Sequence, residues 1–137
     1  MIELLPEHIR LLREPNLAHV ATLMKDGRPQ TSPVWVDFDG THVLINTATG
    51  RQKPRNIERD PRIALSVVDR EWTQRYVEIR GFVVEMTTEG ADEHYAMLAR
   101  KYAGADAKPR HTPGESRLIV RIEPEHVTGM NLGPRPA

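Results

Sequence analysis

Asn46-Thr47-Ala48-Thr49-Gly50-Arg51-Gln52-Lys53-Pro54-Arg55-Asn56-Ile57-Glu58-Arg59-Asp60-Pro61-Arg62 is the stretch from which this chain reads outward in both directions. It follows an apolar β-like run, Val43-Leu44-Ile45, and changes character abruptly. Thr47, Thr49 and Gly50 lead into Arg51, Lys53 and Arg55. If the segment is extended, these alternate cations project to one side, because side-chain direction repeats every two residues. Pro54 then reads as the opening of a short helix. The outline is that of a phosphate cradle: Arg offers a planar fork, Lys a compact charge, and hydroxyls and helix-start amides add neutral donors. The competing reading is a solvated basic turn, since short motifs also arise by chance. These residues alone leave both standing.

Working toward the N-terminus, Thr41 to Thr47 reads as a strand, preceded by the hairpin signal Asp39-Gly40. Pro29 to Phe38 is a second strand, with Val34-Trp35-Val36 at its centre. Lys25-Asp26-Gly27-Arg28 is another hairpin signal, and Leu17 to Met24 the strand before it. Pro6 opens a short helix with an apolar face at Ile9, Leu11 and Leu12, which Pro15 stops.

Toward the C-terminus, Asn56 to Asp60 makes a turn or two of helix, and Arg62 to Asp69 an almost continuously apolar strand. Arg70 to Gln74 is a loop that carries Trp72. Arg75 to Thr87 is a long strand in which Gly81 marks a bulge or a close backbone approach. Glu89 to Tyr102 is the clearest helix, with Tyr95, Leu98, Ala99 and Tyr102 on one face. Ala103 to Pro113 reads as a mobile loop, and Ser116 to Ile122 as a strand that Pro124 breaks, with brief pairing again at His126 to Met130. Short strands joined by tight turns favour a mostly β, antiparallel barrel with peripheral helices over a parallel α/β fold.

The 137 residues suit a single domain, 1–137, with one core and a loose Gly-Pro-rich tail from about 131 to 137. Lys+Arg and Asp+Glu both number 19, so no global field draws nucleic acid and any anion site is local. Cys is absent, which removes disulfides and thiol chemistry. Neither a signal peptide nor a membrane-spanning run is visible, so a cytoplasmic protein without a membrane partner is expected. Dinucleotide, P-loop and nucleophile-elbow motifs are missing. The six histidines are scattered without ligand spacing, so no metal is expected, and His19 reads as a hydrogen-bonded structural residue. Trp35 and Trp72 are each core, interface or ligand-facing residues, and Trp72, in a loop, can cover a ligand or a partner subunit. Gln30, Thr31 and Ser32 interrupt a strand with hydrogen-bonding side chains; they are solvent-facing, or meet the polar edge of a heterocycle across the hairpin.

With these elements in order, Leu17-Ala18-His19-Val20-Ala21-Thr22-Leu23 and Asp26-Gly27-Arg28-Pro29-Gln30-Thr31-Ser32-Pro33-Val34-Trp35-Val36 resemble the start of the pyridoxamine 5'-phosphate oxidase-like, FMN-binding split barrels. Arg51-Gln52-Lys53 followed by Arg55-Asn56-Ile57-Glu58-Arg59-Asp60-Pro61-Arg62 resembles the phosphate-binding segment of that superfamily. Ile122-Glu123-Pro124-Glu125-His126-Val127-Thr128-Gly129 is similar to the closing strand of its deazaflavin-dependent branch, which uses coenzyme F420.

The resemblance spans about residues 6 to 130 and implies a six-stranded antiparallel split β-barrel, homodimeric, with cofactor sites at the subunit interface. It implies that Arg51 and Lys53 bind the cofactor phosphate with Thr47, Thr49 and the Gly50 backbone. It places Gln30 and Ser32 near the ring system, Asn56 at the loop or the phosphate, and Trp72 across the dimer. The implied activity is an oxidoreductase that passes a hydride from reduced F420 to an electron-poor double bond of a quinone, enone, lactone or tetrapyrrole. Its alternatives are an FMN-dependent flavin oxidoreductase and a non-catalytic carrier or sensor of either cofactor. Pro33-Val34-Trp35-Val36 stands where true pyridoxamine phosphate oxidases carry a basic pattern, and their substrate-binding C-terminal extension is not seen before Ala137, so vitamin oxidation is not expected.

Overall fold

A computed structural model describes residues 2–134; Met1 and residues 135–137, the end of the expected tail, lie outside it. The elements are α1 (Pro6–Arg13), β1 (Ala18–Leu23), β2 (Pro29–Val34), β3 (Val36–Phe38), β4 (Val43–Ala48), α2 (Gln52–Arg59), β5 (Arg62–Val68), β6 (Tyr76–Thr87), α3 (Ala91–Ala103) and β7 (Arg117–Met130). None of these helices is long and apolar enough to cross a membrane. Pro6 starts α1, and Glu14, forced out of helical backbone by the proline after it, ends it.

All the strands join one antiparallel sheet in the order β2-β1-β5-β6-β7-β4-β3. The two end strands, β2 and β3, are consecutive in the chain and separated only by Trp35. Opposite ends of the sheet are thereby tied within one residue, and the sheet has to curl into a barrel-like form. This corrects the expected strand count from six to seven, because Pro29 to Phe38 is not one strand. Its first part pairs with β1 and its last part with β4. At the break, the backbone of Val36 is served by α3 instead of a strand: its N–H donates to Tyr102 Oη (3.0 Å) and its carbonyl accepts from Lys101 Nζ (2.6 Å). Buried backbone groups need such partners, so α3 holds the switch between the two ladders.

Two further expectations change. β7 does not stop at Pro124 but runs through it to Met130. Pro124 lies opposite Gly81 at a register shift in the β6–β7 ladder, where a missing N–H costs no regular bond. The expected close approach at Gly81 is present: a Cβ there would fall inside the van der Waals radius of the Glu123 carbonyl oxygen. His19 is exposed; among the described residues the buried histidines are His8 and His94.

The main core fills the inside of the curl with Val20, Val36, Val43, Ile45, Leu65, Val67, Val77, Ile79, Val120 and Ile122, joined by Leu11 and Leu12 of α1 and Ile57 of α2. A smaller cluster, Leu44, Ala91 and Ile119, lies between the outer face of β4–β7 and α3. β4 is therefore buried on both faces, which is why Val43-Leu44-Ile45 is a continuous apolar run without alternation.

Candidate functional site

The end of β4 delivers the basic stretch. Gly50 takes a left-handed φ of +81°, which glycine adopts without strain, and turns the chain from β4 into α2. Helix α2 opens at Gln52 with Arg51 as its N-cap, two residues before the expected start at Pro54. Arg51, Lys53 and Arg55 therefore do not share an extended face. Successive helical residues rotate by about 100°, so Lys53 and Arg55 point to nearly opposite sides of α2. Arg55 is exposed and, among the described residues, bonds only Gln52 Oε1 (3.0 Å), whereas Lys53 is half-buried.

Asn56 locks this helix in place. It is fully buried, and its Nδ2 donates to Thr22 Oγ1 (3.0 Å) on β1 and Gln30 Oε1 (3.3 Å) on β2. Its Oδ1 accepts from Gln52 Nε2 (2.8 Å) and Arg59 Nη2 (3.0 Å). Gln30 and Ser32 sit opposite Thr22 and Val20 in the β1–β2 ladder, on the side of β1 that faces the core. Thr47 is almost wholly buried, and Thr49 Oγ1 accepts from the Ser116 N–H (3.0 Å).

Three cations gather where β4 ends and β7 begins. Arg117, opposite Ala48 in the ladder, interacts electrostatically with Arg51, which in turn acts on Lys53. Burial, reinforced by Arg51, holds Lys53 below the ordinary lysine range. Burial likewise lowers Arg117. Arg51 forms a two-pronged pair with Glu115, Nε to Oε2 and Nη2 to Oε1, both at 2.9 Å. That hydrogen bond raises Arg51 and depresses Glu115. Among the described residues Lys53 has no carboxylate or other hydrogen-bond partner, so this end of the molecule carries desolvated positive charge in excess of its one bonded carboxylate.

Beside these cations lies a cavity of about 300 Å³ lined by Leu17, Pro33, Val34, Trp35, Asn46, Tyr95 and Leu98. Trp35 stacks on Tyr102 with ring centroids 5.4 Å apart and planes 5° from parallel. Asn46 and Tyr95 connect the cavity to the cations: Arg117 Nε donates to Asn46 Oδ1 (2.8 Å) and its guanidinium lies 3.7 Å from the Tyr95 ring centroid. Asn46 Nδ2 also donates to His94 Nδ1 (3.0 Å), which leaves the His94 hydrogen on Nε2, 3.5 Å from Asp37 Oδ2. That Nε2 is buried without a hydrogen bond, so at this separation the Asp37 contact is electrostatic. Burial opposes ionisation of Asp37, but His94, the Phe38 amide and Lys101 outweigh it and hold the carboxyl below its usual range.

Of the residues expected at the site, Thr49, Gly50, Arg51 and Lys53 fall together, and Asn56, bonded to Gln30, follows Lys53 three residues on along the same face of α2. Trp72 does not join them. It follows the opposite end of β5, about 20 Å along the strand from Arg62 at a rise near 3.3 Å per residue. There it packs with Arg75, whose guanidinium lies 5.1 Å from the Trp72 ring centroid. Arg117, Glu115, Asn46 and Tyr95 were not anticipated, because only the β4–β7 register places Arg117 beside Thr49 and Arg51.

A curled antiparallel sheet of this topology, with a cation cluster next to an apolar, aromatic-lined cavity, defines a barrel-like β protein with a candidate small-ligand site. The chain belongs to the pyridoxamine 5'-phosphate oxidase family, whose model matches residues 4–131. It is 35% identical over 108 residues to a pyridoxine/pyridoxamine 5'-phosphate oxidase of Rubrobacter xylanophilus, covering 77% of this chain and 49% of that protein. It is 36% identical over 93 residues to a dihydrophenazinedicarboxylate synthase of Pseudomonas chlororaphis, covering 67% of this chain and 40% of that protein. The chain thus spans half the length or less of these curated relatives. A solved structure of an F420 reductase matches with a TM-score of 0.81 and 31% identity, covering 91% of this chain and 98% of that one.

Proposed function

We propose that this protein is an oxidoreductase dependent on coenzyme F420, reducing an electron-poor double bond of a small molecule such as a quinone, enone, lactone or tetrapyrrole. The observation that carries the reading is Lys53, half-buried beside Arg51 and without a counter-charge among the described residues, in a cation cluster whose Arg117 contacts Asn46 and Tyr95 of the aromatic-lined cavity. Desolvating an ammonium next to another cation is unfavourable unless an anion compensates it. The F420 reductase supports the choice of cofactor, since the likeness covers nearly all of both chains.

In this reading Arg51, Lys53 and Arg117 hold the acidic part of the cofactor, together with the Thr49 hydroxyl and the first-turn amides of α2, which lack intrahelical acceptors. Thr47 and the Gly50 backbone shape the turn that presents them. The ring lies along β2, near Gln30 and Ser32, toward the cavity walled by Trp35 and Tyr95, which excludes water. When bound and reduced, the deazaflavin supplies the hydride; the protein binds, orients and desolvates. Asn56 fixes α2 against β1 and β2, and Trp72 reaches a site only from a second subunit, so a homodimer is part of the proposal. FMN is the alternative occupant of the same seat, favoured by the oxidase relative.

The test is a fluorescence titration of the purified protein with oxidised F420 and with FMN, comparing it with the Arg51→Ala/Lys53→Ala variant. F420 binding that is tighter than FMN binding and at least about 100-fold weaker in the variant is expected, two charge-assisted contacts being removed. Preferential FMN binding would replace F420 by the flavin. Binding of neither would reduce the basic stretch to a solvated turn.

A further inference from the structure

The pair between Arg51 and Glu115 is left over by the functional reading. Arg51 presents Nε and Nη2 to two oxygens of one carboxylate at 2.9 Å each, the in-plane fork geometry that two phosphate oxygens would also take. The next residue treats Thr49 in the same way: the Ser116 N–H donates to Thr49 Oγ1 (3.0 Å), and the Thr49 N–H to the Ser116 carbonyl (2.9 Å). Two groups of the anion seat are therefore engaged by consecutive residues of one segment, 104–116, which joins α3 to β7.

The build of this segment allows it to leave. It is bounded by Gly104 at φ +107° and Gly114 at φ +84°, two positions where glycine turns without strain and other residues do not. Between them its hydrogen bonds are short-range, Ala107 N–H to the Gly104 carbonyl and Glu115 N–H to the Thr112 carbonyl, and His111 meets Tyr95 edge-on at 5.7 Å. Lys53 has no such occupant.

We propose that Glu115 is an internal stand-in for the anionic group of the ligand. Its carboxylate sits in the Arg51 fork and is displaced, with the 104–116 strap, when the ligand binds. This rests on the reading of Arg51 and Lys53 as the anion seat and adds selectivity to it. A monoanion that merely replaces Glu115 at Arg51 exchanges one carboxylate-like contact for another and gains nothing. Glu115 already lies in the field of Arg117 as well as in the Arg51 fork, but not in that of Lys53; a group that also reaches Lys53 adds a contact Glu115 does not make, so Glu115 sets a threshold that favours multiply charged phosphates.

The test compares the protein with Glu115→Gln and Glu115→Asp variants, using inorganic pyrophosphate in calorimetry and oxidised F420 in fluorescence. Trypsin cleavage after the exposed Arg110 reports the strap. Glu115→Gln should bind pyrophosphate about two- to fivefold tighter, the scale of a lost exposed ion pair. Glu115→Asp, one methylene too short for the two-pronged pair, should fall between. Without ligand, Glu115→Gln should be cut at Arg110 faster than the native protein, and ligand should bring native cleavage up to the variant's rate. Unchanged or weaker binding by Glu115→Gln, or ligand that slows cleavage, overturns the stand-in. If that occurs while Arg51→Ala/Lys53→Ala still abolishes binding, the anion seat stands without it. If neither native protein nor Glu115→Gln binds either probe, seat and stand-in fall together.

Discussion

Asn56 and Lys101 show how single polar side chains decide this molecule. Asn56 staples α2 to β1 and β2 through its amide nitrogen, while its oxygen accepts from Gln52 and Arg59 within α2. Asn56→Ala strands those buried partners and should cost about 2–3 kcal/mol in urea unfolding, with weakened F420 binding as the N-terminal turn of α2 loosens. Lys101 donates to the carbonyls of Leu12 and Val36, and burial holds it down to about 8 despite the nearby charge of Asp37. Between that value and the ordinary 10.5 the unfolded chain keeps a proton that the folded protein has shed, so stability rises with pH across this window. Urea midpoints measured from pH 7 to 10.5 should show this rise in the native protein relative to Lys101→Met, which lacks it. A flat difference between the two would mean that Lys101 titrates normally.

At the scale of elements, β6 and β7 succeed as long strands because a glycine and a proline meet. Gly81 leaves room for the Glu123 carbonyl, and Pro124 sits at the shift in register where its missing N–H is tolerated. Gly81→Ala should destabilise the protein by about 3 kcal/mol in thermal or urea unfolding, because the clash is with backbone, which cannot rotate away. A loss below about 1 kcal/mol would show that the strands can part. The same pair explains the expectation of a strand end at Pro124: a proline interrupts an isolated strand pattern, and only its partner strand reveals that the interruption coincides with a bulge. An extended reading of the basic stretch fails for a similar reason. Arg51, Lys53 and Arg55 alternate as if extended, but Pro54 is as acceptable in the first turn of α2 as at its start.

For the molecule as a whole, the placement of Trp72 is the informative distance. It lies at the opposite end of β5 from α2, so it serves a cofactor seat only if two chains associate. Sedimentation should then show a dimer, and Trp72→Phe should weaken F420 binding several-fold with the dimer and the Arg51–Lys53 seat intact. A monomeric protein that binds F420 fully would remove Trp72 from the site. Because the net charge is zero, any attraction for an anion has to be local, and the cation cluster at the end of β4 is the candidate source.

The sequence by itself determined a mostly β, antiparallel chain, its hairpins and the long helix α3, and the basic segment that marks the candidate site. These are local matters of periodicity, turn residues and charge. Tertiary structure decided what depends on register. It split Pro29 to Phe38 at Trp35 so that the sheet could close on itself, and set Arg117 beside Arg51 although 66 positions separate them in the chain (117 − 51). It also brought Glu115 into the Arg51 fork. No local pattern encodes such pairs, because a ladder joins residues by where strands align in space, and one step of register would have sent Arg117 to the other face of the sheet.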